Sequence, residues 1–205
     1  MYKVYIISLI NANAGIHSQS ASRRYRNTIK SCQEYQWPVE LFNAVNGYNL
    51  TENVWSEYHL LPPKKSTKHL DKFGNLPGAH GCFLSHFTLW NQCISLNEPI
   101  IVLEDDSEIL SPLTEISTEF DLLKLTRPYA LHQSSKLGTW SAGASAYWLS
   151  PIGAKKLVEF STTQGPGHAD KLMGSNILNW GYILSPIVKI SPTKGSSTNP
   201  ISHPY

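Results

Sequence analysis

An α/β fold is the class the sequence predicts, on three observations. A β-branched apolar run, Val4-Tyr5-Ile6-Ile7-Ser8-Leu9, opens the chain as a buried strand. A helical pattern and a second strand follow, the order that begins an α/β sheet. Further along, Ile100-Ile101-Val102-Leu103 is wholly apolar, as a central strand covered on both faces must be.

Each element carries its own signal. Tyr25, Ile29 and Cys32 recur at i, i+4 and i+7 within 22–35, which is helical spacing. Pro38 stops that helix, and 39–45 reads as a strand closed by the turn dipeptide Asn46-Gly47. Residues 51–77 read as an irregular, flexible loop with Pro62-Pro63 and the lysines Lys64, Lys65, Lys68 and Lys72. Such a charge run is either a solvated loop or a flap over an anionic ligand. Phe83, Phe87, Trp90 and Ile94 mark a helix from Gly78 that Pro99 ends. Strands are expected over 121–125 and 144–149. Ser150-Pro151 then supplies an N-cap and an N1 proline for a helix with Ile152, Leu157 and Phe160 facing the core. From Pro186 to residue 205 the segment reads as irregular.

Composition narrows the class of molecule. A length of 205 residues fits one domain over 1–205. Hydrophobic residues at 41% and charged residues at 16% exclude a disordered chain. A net charge of +2 offers no basic face for nucleic acid. Cys82 and Cys93 lie about 16 Å apart on one helix, beyond the ~7 Å reach of a disulfide, so both are expected to be reduced. No Cys-x-x-Cys pair suggests zinc. The run from Val4 to Ile10 is too short and too abruptly polar for a signal peptide. No segment approaches the ~20 apolar residues of a membrane span. The expected location is the cytoplasm, with peripheral contact at the inner membrane left open.

Glu104-Asp105-Asp106 carries the chemistry. Three adjacent carboxylates at the end of a buried strand repel one another unless a cation compensates them. Ligands of open α/β sheets bind at such strand ends. Hard divalent ions prefer carboxylate oxygens and can hold a diphosphate at the same time, so Glu104-x-Asp106 suits a metal–diphosphate clamp. An exposed acidic turn is the alternative. The stretch from Gly78 to Trp90 pairs two glycines with a helix start, where an anion can be received, and adds Ser85 and His86 as donors. For His86 a purely structural hydrogen-bonding role is the competing reading.

These segments together resemble glycosyltransferase family 25, the bacterial lipooligosaccharide galactosyltransferases and their collagen-modifying relatives. Ser22-Arg23-Arg24 is similar to the family's DRR stretch, Ala44-Val45-Asn46-Gly47 to its AVDG, and 81–86 to its GCFLSH. Leu103-Glu104-Asp105-Asp106 matches LEDD, and 146–157 is similar to AYLISRKGAKKLL. The Gly-Cys-Phe-Leu-Ser-His and Leu-Glu-Asp-Asp motifs are specific as a pair.

The resemblance implies a GT-A-like fold with a mixed central sheet flanked by helices. It also implies a UDP-hexose donor, usually UDP-galactose with UDP-glucose as an alternative, and inversion at the anomeric carbon. The acceptor it implies is an oligosaccharide or lipid-linked glycan of lipooligosaccharide or another cell-surface polysaccharide. By the same carry-over Asp106 is a ligand of Mn²⁺ or Mg²⁺, joined by Glu104, with Glu104 or Asp105 touching the metal shell or the donor ribose. His203 would complete the metal shell. Arg23 and Arg24 would reach the nucleotide or diphosphate, with a solvated helix start as the alternative. Asp170 would be the base that takes the acceptor proton, or else a simple helix-start carboxylate. The chain departs from the pattern at Ser22, Asn46 and Ala79-His80, which bears on donor and acceptor identity. Two other readings share these residues: a non-catalytic UDP-sugar or carbohydrate-binding protein, and a metal-dependent phosphoesterase. The latter would need a second metal cluster that the sequence does not show.

Overall fold

A computed structural model of the chain describes residues 2–11, 16–63, 73, 76–116, 119–128 and 130–191, with side chains omitted at 16–18. The strands are β1 (Lys3–Ser8), β2 (Val39–Asn43), β3 (Ile100–Glu104), β4 (Ser107–Ile109), β5 (Leu122–Lys124), β6 (Leu131–Ser134), β7 (Gly138–Ser141), β8 (Ala146–Leu149), β9 (Trp180–Tyr182) and β10 (Val188–Ile190). The helices are α1 (Ile16–Glu34), α2 (Val54–Glu57), α3 (Pro77–Leu96), α4 (Pro151–Gln164) and α5 (Ala169–Leu172). Six strands form a mixed sheet in the order β2-β1-β3-β8-β5-β9, in which β8 alone runs antiparallel to its neighbours. The expected mixed α/β architecture with flanking helices is therefore present.

The two faces of the sheet carry two cores, and strand alternation divides the side chains between them. Tyr5, Ile7, Ile100, Val102, Tyr147 and Leu149 face α3 and α4. Val4, Ile6, Ile101, Leu103, Ala146 and Trp148 face the other way, toward α1 and the β4–β10 ribbon. The four apolar residues of β3 are fully buried, each worth about 1.5–3 kcal/mol.

Helix α1 shows Cys32 buried and Tyr25 and Ile29 half-buried, as its spacing predicts. Its inner face also buries Arg24, Thr28 and Ser31, polar residues that an apolar period does not reveal. Ser150 caps α4 by accepting a hydrogen bond from Gly153 N, with Pro151 in the first turn.

Four expectations need correction. Ile152 is 66% exposed, because at about 100° per residue it sits some 140° around α4 from the buried Leu157. The 51–77 stretch contains α2 and the first residue of α3, and its Val54, Leu60 and Phe73 are buried in the core. The tail beyond Pro186 contributes β10, which pairs with β4. Helix α3 begins at Pro77, so Ser85 and His86 lie in its third turn and not at its start. The lysines Lys64, Lys65, Lys68 and Lys72, and His203, lie outside the described residues.

A backbone contact joins the two glycine-bearing motifs. A Cβ on Gly81 would overlap Val45 O and lie 2.6 Å from Gly47 N, and one on Gly47 would overlap Pro77 O. Only glycine permits this approach, which fixes the loop after β2 against α3. Gly81→Ala is therefore expected to lower stability by about 1–3 kcal/mol. The helix-propensity gain of roughly 1 kcal/mol that alanine normally brings would be outweighed. Thermal unfolding of the variant checks this, and an unchanged or higher Tm would contradict the contact.

Candidate active site

The parallel strands β1, β2 and β3 end together, and a cleft of about 410 Å³ opens there. Ligands of open α/β sheets bind at such strand ends. Its walls come from the ends of β1 and β3, the 44–48 loop, α3, the 143–145 turn and the start of α5. Seven of the residues singled out from the sequence line it: Arg24, Ser85, His86, Glu104, Asp105, Asp106 and Asp170. Arg23 is exposed on α1 and is not part of the lining.

The three carboxylates do not share one environment. Asp105 points inward, where Arg24 Nε donates to its Oδ1 at 2.7 Å and Ser8 Oγ to its Oδ2 at 2.7 Å. Arg24 Nη2 reaches Oδ2 at 3.4 Å. Burial pushes the Asp105 carboxyl up, while Arg24 and Ser8 pull against that rise. Thr28 Oγ1 lies 2.8 Å from Asp105 O and 2.7 Å from Ser107 O, sharing its proton across the turn. Asp105 and Arg24 are thus committed to each other.

Glu104 faces the cleft and meets a buried chain of side chains. Trp90 Nε1 donates to Tyr147 Oη at 3.1 Å, and Tyr147 Oη stands 2.7 Å from His86 Nδ1. His86 Nε2 lies 3.3 Å from Glu104 Oε1, and a carboxylate oxygen accepts, so the imidazole proton is assigned to Nε2. Nδ1 is then the acceptor to which the Tyr147 hydroxyl donates. His86 therefore orients Glu104. Ser85 is likewise spoken for: its hydroxyl donates to Gly81 O at 2.7 Å and accepts from Val45 N at 2.9 Å.

Asp106 differs from both neighbours. Its Oδ1 is buried without a hydrogen-bond partner among the described residues. Burial raises its pKa to about 7, with Glu104 and Asp105 adding to the rise. A divalent cation fits this arrangement, because it would satisfy the orphaned oxygen and offset the clustered charge. Cys82, His86 and Glu104 also converge within 4.8 Å. That trio suits a metal less well: the His86 Nε2 proton faces Glu104, and burial and Glu104 hold the Cys82 thiol protonated.

Asp170 stands across the cleft on α5. Gly143 N donates to its Oδ2 at 3.0 Å and Lys171 N to its Oδ1 at 2.9 Å. Two backbone donors hold the carboxylate and leave further lone pairs for a substrate proton.

Sequence reasoning missed Ser8, Thr28 and Tyr147. A buried hydroxyl inside an apolar strand or helix face is the signal that could have found them, since such a group needs a partner.

The model of glycosyltransferase family 25 (LPS biosynthesis protein) matches residues 1–141. That stretch holds Arg24, His86 and 104–106, and Asp170 lies beyond it. A "Glycosyltransferase 25 family member" of Aedes aegypti is 26% identical over 70% of this chain, which spans 27% of that relative. "Lipooligosaccharide biosynthesis protein lic2B" of Haemophilus influenzae is 26% identical over 91% of this chain and 74% of its own length.

Two outcomes follow from the carboxylate geometry. Arg24→Met should lower stability by about 3–5 kcal/mol in urea unfolding, because Asp105 is left buried and unpaired. A loss under 1 kcal/mol would contradict the pairing. For Asp106 the folded pKa of about 7 exceeds its ordinary 3.8, so the folded state holds the extra proton. Its contribution to stability is therefore complete below pH 4 and lost as pH rises through 7, by as much as about 4 kcal/mol. With chelator present, Asp106→Asn should lack this decline, so its stability relative to the unaltered chain should rise between pH 4 and pH 8. Parallel stability profiles would contradict it.

Proposed function

The chain belongs to glycosyltransferase family 25, and on that premise we propose that it transfers a hexose from a UDP-sugar to a glycan hydroxyl. The family is one of transferases, which makes a sugar donor and a glycan acceptor the expected substrates. UDP-galactose is the proposed donor, with UDP-glucose second, and a lipooligosaccharide or related cell-surface glycan is the proposed acceptor. The name of the Haemophilus relative supports that acceptor class. The mixed sheet is consistent with a GT-A-like domain spanning the chain. No helix among the described residues is long and apolar enough to cross a membrane. The proposed setting is cytoplasmic, with contact at the inner membrane surface.

One observation carries this reading: one cleft at the ends of β1–β3 is lined by Glu104, Asp106 and Asp170, with Asp106 Oδ1 buried and without a hydrogen-bond partner among the described residues. Glu104 and Asp106 are the residues to hold Mn²⁺ or Mg²⁺, which when bound would neutralise charge on the departing diphosphate. His203 is retained as a proposed further ligand. In the proposed reaction the acceptor hydroxyl gives its proton to Asp170. Its oxygen bonds to the anomeric carbon from the face opposite UDP, and the bond from that carbon to the UDP oxygen breaks with inversion. Asp170 is placed for this by two backbone N–H groups, which hold its carboxylate at the cleft wall. Asp105 and Arg24 support the strand end from behind.

UDP release from UDP-galactose and UDP-glucose, with and without Mn²⁺ and across a glycan panel, tests the reading. Turnover should require the cation, and Asp170→Asn should lose about 10²–10⁴-fold in kcat while still binding UDP. Binding without turnover for any acceptor would leave a sugar-nucleotide-binding protein instead. Full activity of Asp170→Asn would remove it as the base.

A further inference from the structure

Lys124 is the anomaly in the central sheet. It ends β5, in the run Leu122-Leu123-Lys124-Leu125, and is only 2% exposed. Burying an ammonium costs several kcal/mol unless close partners compensate it. Among the described residues no carboxylate lies within ion-pair distance of it. Its Nζ instead donates to two backbone carbonyls, Ser141 O at 2.8 Å and Gly143 O. Burial lowers its pKa to about 8, and the charges of Asp170 and Glu104 act against that fall. Through the Gly143 carbonyl the cation stands behind the cleft wall that holds Asp170.

The two carbonyls belong to the turn that leads from β7 into the cleft wall. Gly143 has φ +84°, a left-handed conformation that costs glycine little. The carbonyl of Gly143 accepts from Lys124, and its N–H donates to Asp170 Oδ2. An exposed glycine turn of this kind would otherwise be among the softer parts of the wall.

We infer that Lys124 is the positioning residue of this site: it anchors the 141–145 turn from beneath, and through Gly143 sets the Asp170 carboxylate. The inference rests on the reading of Asp170 as the base. It adds a residue outside the cleft lining on which the base geometry depends. A misplacement of about 1 Å at a reacting group can cost on the order of 10²-fold in rate.

Two readouts on Lys124→Met test it. The first is the amide resonance of Gly143 by NMR, which reports the bond to Asp170 whatever the chain catalyses. Lys124→Met should shift it in the direction that Asp170→Asn does. The second is transfer kinetics. Lys124→Met should lower kcat roughly 10- to 100-fold with UDP affinity within about twofold. Added to Asp170→Asn it should cost little more, because both act through one carboxylate. Lys124→Gln keeps a donor on a shorter stem and should show the same pattern at smaller size if Lys124→Met does not fold. An unmoved Gly143 resonance, an unchanged kcat, a parallel loss of UDP affinity or fully additive losses would each overturn the inference. If the unaltered chain transfers no sugar, the transferase reading falls while the Gly143 resonance still decides the positioning claim.

Discussion

Three carboxylates in succession at the end of a fully buried strand are the constraint around which the rest of the molecule is arranged. Left together in low dielectric they would repel strongly. The chain separates them by backbone alternation, with Glu104 directed to the cleft and Asp105 inward onto Arg24 and Ser8. Thr28 ties the turn that follows to α1. Of the three, Asp106 keeps a buried oxygen with no partner among the described residues. The inner pair lets the strand end exist in a core, and the outer two are the proposed metal ligands.

The cleft walls depend on two further close contacts. Gly47 against Gly81 clamps the loop after β2 onto α3, so the two glycine-bearing motifs meet each other. On the far side the buried relay from Trp90 through Tyr147 to His86 fixes the orientation of Glu104. Buried polar chains of this type rigidify a site when every member is satisfied. The proposed transfer chemistry asks for such rigidity, since the base and the diphosphate clamp must face each other across one cleft.

Much of the sheet was legible in the sequence. The apolar runs of β1 and β3 and the Ser150-Pro151 start of α4 each follow from local patterns, and Glu104 and Asp106 follow from their place after a central strand. Other features turn on tertiary partners that no local pattern encodes. Arg23 and Arg24 are chemically alike, and only the phase of α1 against the sheet sends Arg24 into the core. That helix buries Thr28 and Ser31 because turn carbonyls and amides need partners there, which an apolar period cannot register. Ile152 is apolar, yet its angle around α4 turns it to solvent. Lys124 sits in plain view between leucines, yet its use depends on a turn from residues 141–145 that packs beneath Asp170 only in the folded chain.

The division of labour between neighbouring carboxylates is the central claim, and UDP binding by calorimetry in the presence and absence of Mn²⁺ tests it most directly. The measurement compares Asp105→Asn with Asp106→Asn. Asp106→Asn should keep its fold and lose the Mn²⁺-dependent part of UDP affinity, whereas Asp105→Asn should be less stable yet retain that part while folded. Loss of Mn²⁺-dependent binding in Asp105→Asn, with Asp106→Asn binding as the unaltered chain does, would contradict the account.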